Sequence, residues 1–75
     1  MRKPKVFKET EKAVQLGMVF CRLDGVDKVL KFWCPKSLLN DDGFPPDWFV
    51  QKKVDEMYEK NLWLKIYRPL MFELE

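Results

Sequence analysis

Side chains that could carry out covalent or metal chemistry are few in this 75-residue sequence. The chain has no histidine, and its two cysteines are Cys21 and Cys34. A structural zinc site needs four nitrogen or sulfur ligands, so the chain alone is not expected to build one. Asp41 and Asp42 are neighbouring carboxylates in a predicted turn, where we expect solvent around them. No glycine-rich loop is present to hold a phosphate group. We therefore predict a protein that is not an enzyme and has no catalytic residues, cofactor or metal.

The two cysteines fall on apolar segments, which favours buried reduced thiols. Their spacing in the sequence does not exclude a disulfide bond between them. Cys34 precedes a proline and has no histidine partner, so we do not expect it to be a nucleophile. The sequence shows no secretory signal and no apolar run near the roughly 20 residues that a membrane span requires. A cytoplasmic protein without a membrane partner is the expectation.

Aromatic and basic residues are better candidates, and the chemistry they suit is binding. Alternation along the predicted strands places five of them on the solvent side, and Arg68 lies just beyond the last. The six form one patch if the third strand lies beside the second. These residues are Lys31, Trp33, Trp63, Lys65, Tyr67 and Arg68. Such a patch suits a contact with another protein, because Trp, Tyr and Arg dominate protein interfaces. Stacking aromatic rings beside cations also suits single-stranded nucleic acid. The alternative is that Trp33 and Trp63 cover a second small core.

Trp48, with Phe49 at the start of a predicted helix, is the other candidate contact residue. It either anchors a partner or covers the Pro45-Pro46 turn.

The net charge of +2 is unevenly distributed along the chain. Residues 1–36 contain nine basic and four acidic residues, whereas residues 37–75 contain five basic and eight acidic residues. A basic half of the chain attracts phosphate groups or an acidic protein. The same charge distribution is also expected if these side chains simply form a solvent-exposed face. The weak net charge favours a protein partner over nucleic acid, and a homodimer stays open.

A predicted β-hairpin must position Trp33. Apolar residues alternate over 13–23 and again over 29–34, a period of two that indicates strands. Asp24-Gly25 between them is a strong turn signal. A two-residue turn there mixes apolar and charged side chains on one face. A three-residue loop over 23–25, with Gly25 left-handed, pairs Phe20 with Lys28 and separates the faces, so we predict that register.

The second half of the chain predicts a helix and further strands. Pro45-Pro46-Asp47 opens a helix that runs to about Lys60. Its predicted apolar stripe consists of Val50, Val54, Met57 and Tyr58. After Asn61, alternation predicts a strand with Leu62, Leu64 and Ile66 facing the core and Trp63, Lys65 and Tyr67 on the other side. A last short strand is expected over 70–74, beyond Pro69.

These elements predict one small α+β domain over 1–75, in which an antiparallel sheet packs on a single helix in the order ββαβ, with a further β at the end. The sheet comprises the β-hairpin and one or two C-terminal strands. Residues 1–8 are expected to form a loose basic arm or an edge segment.

Four short strings in the chain resemble a pattern found in small uncharacterised phage and prophage proteins. They are Glu9-Thr10-Glu11-Lys12-Ala13, the Asp24-Gly25 turn, Trp33-Cys34-Pro35-Lys36-Ser37, and Pro46-Asp47-Trp48. The resemblance covers roughly residues 9–49. Leu38 stands where those proteins often have Gln after Lys-Ser. The resemblance implies a compact binding module of phage or mobile-element origin. It would act in the host cytoplasm, for example on a host defence or replication complex.

Overall fold

The computed structural model describes residues 2–75, which form a four-stranded sheet and one α-helix. The elements in chain order are β1 (Lys8–Glu9), β2 (Ala13–Arg22), β3 (Asp27–Pro35), a 3₁₀ turn (Lys36–Leu38), α1 (Asp47–Lys60), a second 3₁₀ turn (Leu62–Ile66) and β4 (Tyr67–Phe72). All strand pairs are antiparallel, with β3 on one side of β2 and both β1 and β4 on the other. The predicted α+β class with a single helix is confirmed.

The hairpin has the predicted register. Phe20 lies opposite Lys28, and Met18 lies opposite Leu30. Gly25 has a φ of 88°, the left-handed conformation that glycine adopts without strain, and its N–H donates to the carbonyl oxygen of Arg22 at 2.9 Å. The three-residue loop therefore fixes which side chains of β2 and β3 point toward the helix.

The core lies between α1 and one face of the sheet, here called the helix face. Even-numbered residues of β2 and β3 supply its sheet side, and Phe49, Val54 and Met57 supply its helix side. The sheet residues are Val14, Leu16, Met18, Phe20, Phe32 and Cys34. The helix begins and ends where the sequence predicts, after Pro46 and before Asn61. Phe49, which the predicted stripe omits, is buried, while Val50 and Tyr58 are half-buried.

The strand predicted directly after Asn61 is wrong. Residues Leu62–Ile66 form a 3₁₀ turn, in which a side chain returns to the same face every third residue. Leu64 and Tyr67 are three apart and both buried, whereas Leu62 and Ile66 are exposed. Tyr67 therefore faces the core and not the solvent, and the last strand begins there instead of at Leu70.

The segment before β1 lies along the edge of the sheet. The N–H of Lys5 donates to the carbonyl oxygen of Glu73 at 2.8 Å, and the N–H of Phe7 donates to that of Gln15 at 2.9 Å. Of the two expectations for residues 1–8, the structure describes the edge segment and not the loose arm over residues 2–8. Met1 lies outside the described residues.

Phe7 covers a glycine on the opposite face of the sheet, here called the open face. A Cβ atom added at Gly17 would lie 2.8 Å from the Phe7 ring and 2.8 Å from a methyl group of Val29. We expect Gly17→Ala to lower the free energy of unfolding by about 1–3 kcal/mol, because the ring must move away. Urea denaturation of Gly17→Ala, Phe7→Ala and the double variant measures this. The losses of free energy of unfolding in the two single variants should sum to more than the loss in the double variant. A double variant whose loss equals that sum would contradict the contact between Phe7 and residue 17.

Candidate functional site

The six aromatic and basic residues predicted to form one patch are divided between two parts of the sheet. The predicted patch required the last strand to lie beside β3, but β4 pairs with β2. Lys31 and Trp33 belong to β3, whereas Tyr67 and Arg68 open β4. With β2 between them, the two strands are about 10 Å apart. Trp63 and Lys65 lie in the second 3₁₀ turn.

Tyr67 is the buried member of this set, at 5% exposure. Trp63 packs edge-on against its ring with centroids 5.5 Å apart, and the Arg22 guanidinium lies 5.6 Å from the ring centroid. The Tyr58 hydroxyl donates to the Tyr67 carbonyl oxygen at 2.7 Å, and burial raises the pKa of Tyr58, which keeps this donor protonated. Tyr67 therefore anchors β4 to the helix, and Trp63 covers it from outside.

Trp33 and Lys31 lie on the open face of β3. The Lys31 ammonium is 4.8 Å from the centroid of the Phe7 ring, and the Lys5 ammonium is 5.1 Å from it. Phe7 thus covers Gly17 on the open face. The alternative expectation is that Trp33 and Trp63 cover a second small core there, and Phe7 supplies part of such a cover. Sequence reasoning missed Phe7 because neither a loose arm nor an edge segment over residues 1–8 assigns this ring to a face of the sheet. Trp33 remains 42% exposed beside this cover.

Trp48 is exposed at the start of α1. Its ring packs edge-on against Phe49 with centroids 5.8 Å apart, while Phe49 itself is buried against Phe32. Trp48 therefore leaves most of its surface available for a contact.

An apolar groove lies between α1 and β4, and we call it the α1–β4 groove. Its volume is about 590 Å³. Val50, Val54 and Tyr58 line the helix side, together with the polar Gln51 and Asp55. The remaining lining residues are Met18, Phe44, Pro69, Leu70, Met71, Phe72 and Leu74. Sequence reasoning did not find this groove, because it depends on where β4 pairs.

A basic cleft beside the hairpin loop borders the α1–β4 groove. Pro69 and Leu70 line both. The cleft has a volume of about 480 Å³ and adds the basic side chains of Arg22, Lys65 and Arg68. Two of the predicted binding residues, Lys65 and Arg68, therefore lie together in this cleft, next to the apolar groove.

A second groove separates α1 from β3, and we call it the α1–β3 groove. Its volume is about 320 Å³. Lys53 and Lys60 line it from the helix, and Glu56 is the acidic residue among its lining side chains. Glu56 lies 3.4 Å from the Lys53 ammonium, so the groove carries an excess of positive charge.

The two cysteines are free and lie on opposite faces of the sheet. Cys34 is buried in the core, and burial raises the pKa of its thiol. The neighbouring Asp27 carboxylate raises the pKa of the Cys21 thiol, which donates to the carbonyl oxygen of Arg22 at 3.2 Å. Within residues 2–75, no group of three His, Cys, Asp or Glu side chains is placed to hold a metal ion. No helix in that range is long and apolar enough to cross a membrane.

Comparison of the chain with protein-family models, with curated proteins and with solved structures finds no match.

Proposed function

We propose that this protein is a non-catalytic binding protein that recognises another protein through the α1–β4 groove. The observation that carries the proposal is an apolar groove of about 590 Å³ left open at the surface of a 75-residue chain. Leu70 at its border is 61% exposed, and Met71 beside it is 46% exposed. Open apolar surface of this kind marks sites where a partner buries side chains.

The chemistry of the groove favours an amphipathic helix as the partner element. An added strand would need hydrogen bonds along the outer side of β4, but Pro69 has no N–H and the Tyr58 hydroxyl already donates to the Tyr67 carbonyl oxygen. A helix places apolar side chains into a groove without using the backbone of the strand. Acidic residues at one end of that helix would meet Lys65 and Arg68 in the basic cleft.

Two leucine variants test this proposal with a matched control. Helical peptides selected from a random library for binding to the protein are the probe. Leu70→Lys should weaken their binding about tenfold or more, because it places a charge in the apolar contact. Leu62→Lys is the control, since Leu62 is also exposed but does not line the groove. Equal affinity for both variants by isothermal titration calorimetry would remove the groove from the proposal.

A single-stranded nucleic-acid binder is the competing function, and Trp33 beside Lys31 on the open face is the feature that favours it. Fluorescence anisotropy with labelled single-stranded oligonucleotides separates the two. Nucleic-acid binding predicts an affinity that falls steeply with salt and a loss of about 1–3 kcal/mol for Trp33→Ala. Absence of binding at low salt leaves the protein partner as the proposal.

The resemblance to small phage and prophage proteins adds a class of partner to the proposal. Such proteins often act by binding to components of host defence or replication. The neighbouring genes are the most informative observation here, because a replication operon and an anti-defence cluster imply different partners.

A further inference from the structure

The outer edge of β3 differs from the other strand edges of residues 2–75. β3 has nine residues and pairs with β2 alone. β1 has two residues, and β4 contains Pro69 and a shift in register opposite Val19 and Phe20. A short strand, a proline and a bulge are features that prevent a further strand from adding to an edge. β3 has none of them between Asp27 and Cys34.

The hydrogen bonds of the hairpin show which backbone groups point outward. The N–H of Arg22 donates to the carbonyl oxygen of Val26, and the N–H of Lys36 donates to that of Lys12. In an antiparallel pair such bonds involve every second residue, so the even-numbered residues of β3 bond to β2. The odd-numbered residues direct their N–H and C=O groups away from the sheet. These residues are Asp27, Val29, Lys31 and Trp33.

The other side of β2 supports this assignment independently. The carbonyl oxygen of Gln15 accepts from the N–H of Phe7, and that of Gly17 accepts from the N–H of Glu73. Odd-numbered residues of β2 thus bond away from β3, as the alternation requires. The outward row of β3 is therefore a continuous set of donors and acceptors without a partner in the described part of the chain.

We infer that β3 takes an extended, acidic segment of a partner protein as an added strand. The α1–β3 groove lies beside this edge, so alternate side chains of the added strand would enter it next to Lys53 and Lys60. Within residues 2–75, the ion pair in this groove is that of Lys53 with Glu56, which leaves Lys60 to pair with an incoming carboxylate. Side chains on the other face would meet Val29 and Trp33, which are both 42% exposed.

Charge favours an acidic segment over a second copy of this chain. Two copies paired through β3 would bring Lys53 and Lys60 of both helices to the same side of the joined sheet, where they repel. A segment that alternates Glu with an apolar residue places carboxylates beside these lysines and apolar groups beside Trp33. This site is separate from the α1–β4 groove, so either one can fail without the other.

The probe is a capped eight-residue peptide that alternates Glu with Val, compared with a peptide in which Lys replaces each Glu. Nuclear magnetic resonance titration into the intact protein measures both affinities. We expect the Glu peptide to bind about tenfold or more tightly than the Lys peptide, and the amide hydrogens of Val29, Lys31 and Trp33 to exchange more slowly in the complex. Equal affinities, no binding at millimolar peptide, or protection confined to β4 would overturn the inference.

Two charge reversals on α1 complete the test. Lys60→Glu should reduce the preference for the Glu peptide about tenfold, because it removes one attraction and adds a repulsion. Lys52→Glu is the matched control, as Lys52 is exposed on the same helix but does not line the groove. If both variants lose the preference for the Glu peptide equally, the preference reflects only the net charge of the protein, and the proposed site is wrong. Protection of the outward amides that rises with protein concentration, without peptide, would assign the edge to a second copy instead.

Discussion

Leu16→Ala is expected to lower the free energy of unfolding by about 2–5 kcal/mol. Leu16 is fully buried at the centre of β2, opposite Phe32 and beneath α1. Removing the three carbon atoms beyond Cβ loses apolar burial and leaves a cavity that the flanking strands cannot close. Domains have about 0.05–0.15 kcal/mol of stability per residue, so this one change removes a large part of the total for so short a chain.

Leu23→Ala is the matched control, because it is the same substitution in the same hairpin. Leu23 is 98% exposed in the loop after β2. We expect its free energy of unfolding to stay within about 0.5 kcal/mol of the unmodified protein. Urea denaturation followed by tryptophan fluorescence measures both variants. Similar losses for the two leucines would contradict the placement of the core.

The sequence predicts the hairpin correctly because two local signals agree there. A period of two identifies both strands, and Gly25 permits the left-handed loop that separates apolar from charged side chains. The helix is predictable for the same kind of reason, since Pro46 and Asn61 mark its two ends. Such signals act within a few residues, and no distant part of the chain needs to be known.

The candidate sites depend on contacts between distant residues, which local signals do not contain. Leu62, Leu64 and Ile66 alternate as a strand does, yet the chain forms a 3₁₀ turn because Leu64 and Tyr67 can both reach the core at a period of three. The pairing of β4 with β2 instead of β3 then divides the predicted patch. The same pairing leaves a groove on each side of α1, one apolar and one basic.

The two grooves differ in the backbone beside them, and this difference determines what each can bind. Along the α1–β4 groove the backbone of β4 is interrupted by Pro69, so recognition there must use side chains. Along the α1–β3 groove the backbone of β3 is continuous, so recognition can use main-chain hydrogen bonds as well. Helix α1 therefore lines both grooves, and a partner of the α1–β4 groove must be recognised differently from a partner of the α1–β3 groove.

Tyr67→Ala is expected to lower the free energy of unfolding by about 3 kcal/mol or more. Sequence periodicity predicts Tyr67 as a solvent-facing contact residue, but its ring is 5% exposed beneath Trp63 and Arg22. Truncation removes the packing that joins the start of β4 to the core. A loss of partner binding in this variant would therefore not by itself show that Tyr67 contacts the partner.

Tyr67→Phe separates the ring from the hydroxyl and serves as the conservative control. It is the Tyr67 carbonyl oxygen that accepts from Tyr58, and a phenylalanine keeps that oxygen in place. We therefore expect Tyr67→Phe to remain within about 1 kcal/mol of the unmodified protein, since volume and shape are conserved. Thermal and urea denaturation of both variants measure the difference. A Tyr67→Ala protein as stable as Tyr67→Phe would return Tyr67 to the solvent-facing role that the alternating pattern predicts.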